Sequence, residues 1–313
     1  MKHILKKYYN IEAHTVIPQK GGWSALAYRV EDSRAAYFLK VYDKSRASTP
    51  KYTNLIDGYV PIIQWLNENS DLKGKLPVPV LTKEGKYKCE DEHAIYLLNE
   101  FIEGEAVGEK DLTPKQVEQL GESVAILHTH GTEIPFNTVD ITESFAVPFI
   151  QELKNTLAEQ SKTLPTAIKL LLQPYIASIN ILLDDLLKLQ ETLINSKVKL
   201  VLCHTDLHNW NLMESQGKLT LIDWEGLKLA PPEADIMFFT DKSYYPQFME
   251  SYQKLHKDFN LNQETLRFYQ IRRGLEDIWE WLEQLLFDRQ TEEVRNTSLE
   301  GLRMALKNLK FLV

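Results

Sequence analysis

The sequence predicts an α+β fold in two parts: an antiparallel β-sheet built from roughly the first hundred of 313 residues, and a larger, mainly helical remainder. Three observations lead there. Residues 27–31, 36–42 and 93–101 are β-branched and aromatic runs with strand-like alternation. Beyond Gly104 the apolar residues recur instead at helical spacing. The change of character is abrupt, which divides the chain into a lobe of residues 1–103 and a lobe of residues 104–313, with a hinge near 98–103.

Between the second and third strands, Leu55, Tyr59, Ile62, Ile63 and Leu66 share one face of a helix over 52–67. Pro61 lies inside it, so the helix is expected to begin or kink there. In the second lobe Thr113 or Pro114 opens a helix with Val117, Leu120, Val124 and Leu127 on one face, closed by Gly131. Two longer amphipathic stretches follow at 174–195 and 262–287, separated by short β-like runs at 198–203 and 219–224. No internal repeat or low-complexity segment interrupts this order.

A net charge of −8 without a long Lys/Arg block argues against a nucleic-acid or anionic-membrane partner, because counterion release needs clustered positive charge. A neutral or cationic small molecule fits better. The first residues lack the apolar core of a secretory signal and no apolar run approaches the length that spans a bilayer, so a cytoplasmic protein is expected. Cys89 and Cys203 are isolated from each other and from metal-ligand spacing, and Cys203 ends an apolar run as a small core residue. Oligomeric state leaves no signal.

The chemistry is concentrated in Val201-Leu-Cys-His-Thr-Asp-Leu-His-Asn-Trp-Asn-Leu-Met213 and Leu221-Ile-Asp-Trp-Glu225. A strand, then Asp206, then Asn211 five residues on, then a second strand delivering Asp223, is what phosphoryl transfer requires. Asp206 would accept the proton of an attacking hydroxyl, while Asn211 and Asp223 offer Mg²⁺ the hard oxygens it prefers. Two other readings stay open. His204, Asp206 and His208 at alternate positions could bind a transition metal in a hydrolase, although this leaves Asn211 and Asp223 unexplained. The Asp and Asn residues could also be ordinary turn formers after a strand.

His204-x-Asp206-x-His208-x-x-Asn211 with Ile222-Asp223-Trp-Glu225, extended by Pro231-Pro232-Glu-Ala-Asp235-Ile, resembles the paired motifs of the aminoglycoside phosphotransferases, relatives of the protein kinases. Within that family, residues 201–208 and 229–238 look most like the spectinomycin phosphotransferase branch. The resemblance implies a protein-kinase-like, two-lobed fold, with Asp206 as catalytic base, Asn211 and Asp223 as metal ligands, and His204 bracing the catalytic loop. It also implies that Asp235 ties the loop backbone down and that His208 supports it.

On the same resemblance the first lobe should cover a nucleoside triphosphate, ATP or GTP. Gly21, Gly22 and Ser24 form the candidate phosphate cover, and Lys40 on its strand the candidate clamp on the α- and β-phosphates. Asp57 falls nearest to the position of that lysine's acidic partner, and backbone groups near Asn99 and Phe101 would read the base. The acceptor hydroxyl would belong to a cationic small molecule met by Glu225, Glu276 and Asp277, with Trp279 and Trp281 as a wall or as core. Three functions follow. The first is a kinase for an aminocyclitol or aminoglycoside antibiotic such as spectinomycin, and so a resistance enzyme. The second is a metabolic kinase for choline, an amino alcohol or a sugar, and the third a nucleotide-binding protein without turnover.

Overall fold

The computed structural model describes residues 1–19, 24–158 and 164–312. The chain forms two compact units, Met1–Thr142 with Leu200–Asn260 and Glu143–Lys199 with Leu261–Val313.

In the first unit five antiparallel strands form a sheet in the order β1-β2-β3-β5-β4: β1 Thr15–Gln19, β2 Leu26–Glu31, β3 Ala36–Asp43, β4 Lys88–Glu90 and β5 Ala94–Glu100. Strand side chains alternate between faces. Leu39 and Val41 therefore join Val30, Tyr96 and Leu98 in a core closed by Ile4, Leu5 and Ile11 from the N-terminal segment, which begins with helix α1, Lys2–Ile4. Lys40 and Tyr42 take the other face. Helix α2, Thr49–Thr53, leads into α3, Ile56–Asn69, which buries Ile56, Tyr59, Ile62, Ile63 and Leu66. Pro61 does not break α3. It stands early in the helix, and the carbonyl that its missing N–H would have served belongs to the exposed Asp57, where water can satisfy it.

Helix α4, Pro114–Leu127, begins as its sequence demands. Thr113 Oγ1 accepts from the Gln116 N–H at 3.3 Å, the Gln116 side chain accepts from the Thr113 N–H at 2.9 Å, and Pro114 occupies the first turn. It ends at His128, three residues short of Gly131, with a bonded turn to Thr129 and His130. Short strands carry the chemical motifs: β6 Glu105–Ala106, β8 Leu212–Ser215 and β9 Lys218–Leu221 form one sheet, and β7 Val201–Cys203 pairs with β10 Lys228–Ala230 in another. Gly104 lies where the linker crosses β8, and a Cβ there would come within 3.1 Å of the Glu214 carbonyl carbon. Helices α8, Glu233–Ile236, and α9, Tyr245–Tyr252, complete the unit.

The second unit is helical: α5 Ile150–Ala158, α6 Thr166–Leu172, α7 Ile176–Ile194, α10 Gln263–Phe287 and α11 Glu292–Asn308. Ile271, Leu275, Ile278, Leu282 and Leu285 make a buried stripe along α10, which packs on α7 and α11. Residues 166–194 reach the length and apolar character of a membrane span by composition, which the sequence reading did not anticipate. The stretch is interrupted at Gln173-Pro174, carries Asp184 and Asp185, and buries Ile179, Leu182, Leu183 and Leu186 within the unit, as an amphipathic helix packed along one face does.

One buried ion pair anchors this unit. Glu143, 1% exposed at its side chain, accepts from Arg272 at 2.9 Å and from the Tyr269 hydroxyl at 3.2 Å, and also caps the Phe145 N–H at 2.8 Å. Burial alone would lower the Arg272 pKa, but Glu143, with Tyr269 and Glu276 beside it, more than offsets this and raises it. Glu143→Gln should therefore cost about 3 kcal/mol by removing the carboxylate bonded to a buried guanidinium and leaving it only the more weakly coupled Glu276. A urea titration reads this as a lower midpoint at unchanged slope, and a midpoint within error of the parent would refute it.

Candidate active site

The site begins on β3. Lys40 and Tyr42, two residues apart, share a face, and both meet the segment after β9. Lys40 Nζ pairs with Asp223 Oδ1 and Glu225 Oε1, and the Tyr42 hydroxyl donates to Glu225 Oε1 at 2.6 Å. Lys40 is only 12% exposed at its side chain. Burial pulls its pKa down, yet Asp223 and Glu225 more than reverse this and hold it above the ordinary 10.5. The stabilisation from its charge is thus fully present below pH 10.5 and fades only as pH rises toward the higher folded value. Burial, then the Glu225 charge, raises the Tyr42 hydroxyl well above its usual range, so it remains a donor.

The loop after β7 supplies the second half. The His204 ring is fully buried against Trp224, with ring centroids 4.5 Å apart. Its Nε2 bonds the Ile222 carbonyl at 2.8 Å, which makes Nε2 the protonated nitrogen, and Nδ1 accepts from the Asp206 N–H at 3.3 Å. One imidazole therefore ties the Asp206 backbone to the segment that delivers Asp223. Asn211 Nδ2 donates to Asp206 Oδ2 at 2.9 Å and to its carbonyl at 2.8 Å, while the Asn211 carbonyl accepts from the Ile222 N–H at 3.0 Å. His208 Nε2 stands 3.5 Å from Asp206 Oδ2.

This loop is strained where it turns. Thr205 has φ 67°, unusual for a β-branched residue, and Asp223 has φ 68°. The Asp235 carboxylate holds the first of these in place, with Oδ2 accepting from the His204 N–H at 2.9 Å and Oδ1 from the Thr205 N–H at 2.6 Å. His128, at the end of α4, binds Asp235 Oδ2 at 3.0 Å and the Tyr252 hydroxyl at 2.9 Å. Thr205 Oγ1 donates to the Gly226 carbonyl at 2.7 Å, and a Cβ on Gly226 would lie 3.0 Å from the His204 carbonyl oxygen. Glycine is required for that approach.

The donor set suits a hard divalent cation. Asn211 commits its NH₂ to Asp206, which leaves its amide oxygen as the available ligand, and the remaining groups are the carboxylates of Asp206, Asp223 and Glu225. His128, Cys203 and Asp235 also converge within 4.8 Å, but they are fully buried and the Asp235 carboxylate already accepts three hydrogen bonds.

Several expectations change. Asp57 is not beside Lys40: it is exposed and pairs with Lys88 at 3.0 Å, because its position on α3 points along the helix rim while Tyr59 takes the buried place. Glu225, expected at the acceptor, has its carboxylate engaged by Lys40 and Tyr42. The Phe101 N–H donates to Ala36 at 3.1 Å and is not available to a base edge, and its ring packs 4.4 Å from the Arg29 guanidinium. Asn99 pairs with Phe38 and bridges Pro79. Gly21 and Gly22 lie outside the described residues, and Ser24 sits half-buried in a bend before β2.

Glu276 and Asp277 belong to the second unit, on α10, where Asp277 pairs with Arg273 at 2.7 Å. Trp279 is buried there, and the Trp281 ring lies against Gly301 of α11, so both serve packing. Tyr42 and His128 escaped the sequence reading. Tyr42 had a usable signal in its two-residue spacing from Lys40.

A family model described as the phosphotransferase enzyme family, APH, matches residues 15–269. This chain belongs to that family. The phosphotransferase has the fold of spectinomycin phosphotransferase APH(9)-Ia solved with ADP and spectinomycin, at TM-score 0.77 and 22% identity over 99% of this chain and 96% of that one. A microcompartment-associated aminopropanol kinase aligns at TM-score 0.66 and 15% identity, covering 99% of this chain and 95% of the other. Choline kinase LicA from Streptococcus pneumoniae aligns at 0.63 and 17%, covering 98% and 97%. A comparison with curated protein sequences gave no match. The phosphotransferase is thus a small-molecule kinase with the antiparallel sheet and helical region of the protein-kinase-like fold.

Proposed function

We propose that this phosphotransferase moves the γ-phosphoryl group of ATP or GTP to a hydroxyl of an aminocyclitol or aminoglycoside of the spectinomycin kind. The observation that carries the reading is that Lys40 pairs with Asp223 and Asn211 with Asp206 within one unit, the two pairs being linked through His204 and the Ile222 backbone beside Asp223. In this reading Asp206 orients the acceptor hydroxyl and takes its proton as the oxygen attacks phosphorus. Lys40 leaves Asp223 for the α- and β-phosphates. Asn211 and Asp223 would hold Mg²⁺, which supplies charge neutralisation for the transferred oxygens. Residues 98–103 serve as the hinge of the nucleotide lobe, and the likeness to structures solved with ADP or AMP-PNP supports a nucleotide donor.

A second reading, a kinase for choline or a small amino alcohol, is supported by the likeness to the aminopropanol, choline and ethanolamine kinases. Nucleotide consumption across spectinomycin, aminoglycosides, choline, ethanolamine, aminopropanol and simple sugars separates the two. Turnover with spectinomycin or an aminoglycoside at least about tenfold above the amino alcohols in kcat/KM, a difference of roughly 1.4 kcal/mol in transition-state binding, is the expected result. The reverse order overturns the first reading in favour of the second.

A further inference from the structure

Lys40 takes its acidic partner from an unexpected part of the chain. The two acids of α3 are both placed elsewhere: Asp57 pairs with Lys88 at 3.0 Å, and Glu68 accepts from Gln64 at 3.1 Å. The buried side chain that α3 contributes near Lys40 is Tyr59, 3% exposed, whose hydroxyl burial raises well above its usual range, with Glu225 adding to the rise and Lys40 opposing it. Two carboxylates converge on Lys40 instead, and they have unequal surroundings. Asp223 is 28% exposed at its side chain and pairs with Lys40; Glu225 is 10% exposed and also accepts from the Tyr42 hydroxyl at 2.6 Å.

We propose that Tyr42 is a positioning residue, holding Glu225 as the standing partner of Lys40 and so freeing Asp223 for the divalent cation. The inference rests on the phosphotransfer reading above. A buried ammonium that loses one of two carboxylates needs the other to stay in place. A charge-assisted bond from a fully buried phenol, fixed on the same strand face as the lysine, supplies that restraint. Without it Glu225 swings, Lys40 leans on Asp223, and the metal-bound nucleotide must break that pair with nothing to replace it.

The test is calorimetric titration with Mg²⁺ and AMP-PNP, which needs no acceptor. Tyr42→Phe keeps the ring and removes the hydroxyl, and its Kd should rise about tenfold, with the Mg²⁺ concentration for half-saturation rising alongside. Glu225→Asp withdraws the carboxylate from the phenol while keeping its charge, and should give the same loss. Adding Tyr42→Phe to it should cause little further change, because both variants cut one link. A merely structural tyrosine would lower the melting temperature and the binding stoichiometry while leaving Kd unchanged. Unchanged Kd in Tyr42→Phe, or additive losses in the double variant, overturns the proposal. If Tyr42→Phe does not fold, unchanged Kd in Glu225→Asp does the same. Absence of binding by the parent protein would instead remove the phosphotransfer reading itself.

Discussion

Asp206→Asn is expected to lower kcat by about 10³-fold, within the 10²–10⁴ range for loss of a positioned base, while leaving the fold intact. The substitution is nearly isosteric. Asp206 Oδ2 accepts from Asn211 Nδ2 at 2.9 Å, and an amide oxygen at the same place can accept that bond. What disappears is the ability to take a proton. Asp206 is about one-third exposed at its side chain, so the site can admit an acceptor without unfolding. Steady-state turnover with the acceptor found by screening, together with nucleotide Kd, gives the answer. A kcat within tenfold of the parent would remove Asp206 from proton transfer.

The largest loss of stability is expected from Asp235→Asn, about 3–5 kcal/mol. Asp235 is fully buried and takes three donors on two oxygens: the His204 and Thr205 amides and His128 Nε2. Asparagine offers one acceptor oxygen and turns an NH₂ toward a backbone N–H. One amide is then orphaned at the residue already held at φ 67°. Because Asp206 follows Thr205 directly, turnover should fall with stability. Urea unfolding measures the first effect and kcat the second. A stability loss below about 1 kcal/mol would show that the clamp is not what keeps Thr205 in the left-handed region.

Much of the site was readable in sequence because the decisive residues are close together along the chain. Asp206, Asn211 and Asp223 span two short strands, and the bonds among them are local. The start of α4 was equally legible, since a capping box and a proline at the first turn act within one turn. The partner of Lys40 was not. Glu225 is 185 positions away, and its choice over Asp57 depends on which side of α3 is buried. The Phe101 N–H was misjudged for a similar reason, because its bond to Ala36 depends on pairing across the sheet. Strands β1 and β4 left weak signals because they are short and lie at the sheet's two edges, where Pro18 costs β1 little.

The pairing of Lys40 and Tyr42 with Asp223 and Glu225 brings two segments together in matching two-residue steps. Such an arrangement responds differently to the two kinds of genetic change. Point substitution can alter one of the four side chains and leave the others facing one another. Deletion or insertion of a single residue between Lys40 and Tyr42 turns the second member to the opposite face of the strand, because strand side chains repeat every two residues. A length change of one residue there leaves only one of the two able to reach Glu225. In an evolving lineage the length of these stretches is therefore constrained as well as their key residues, and loops outside them must absorb the indels.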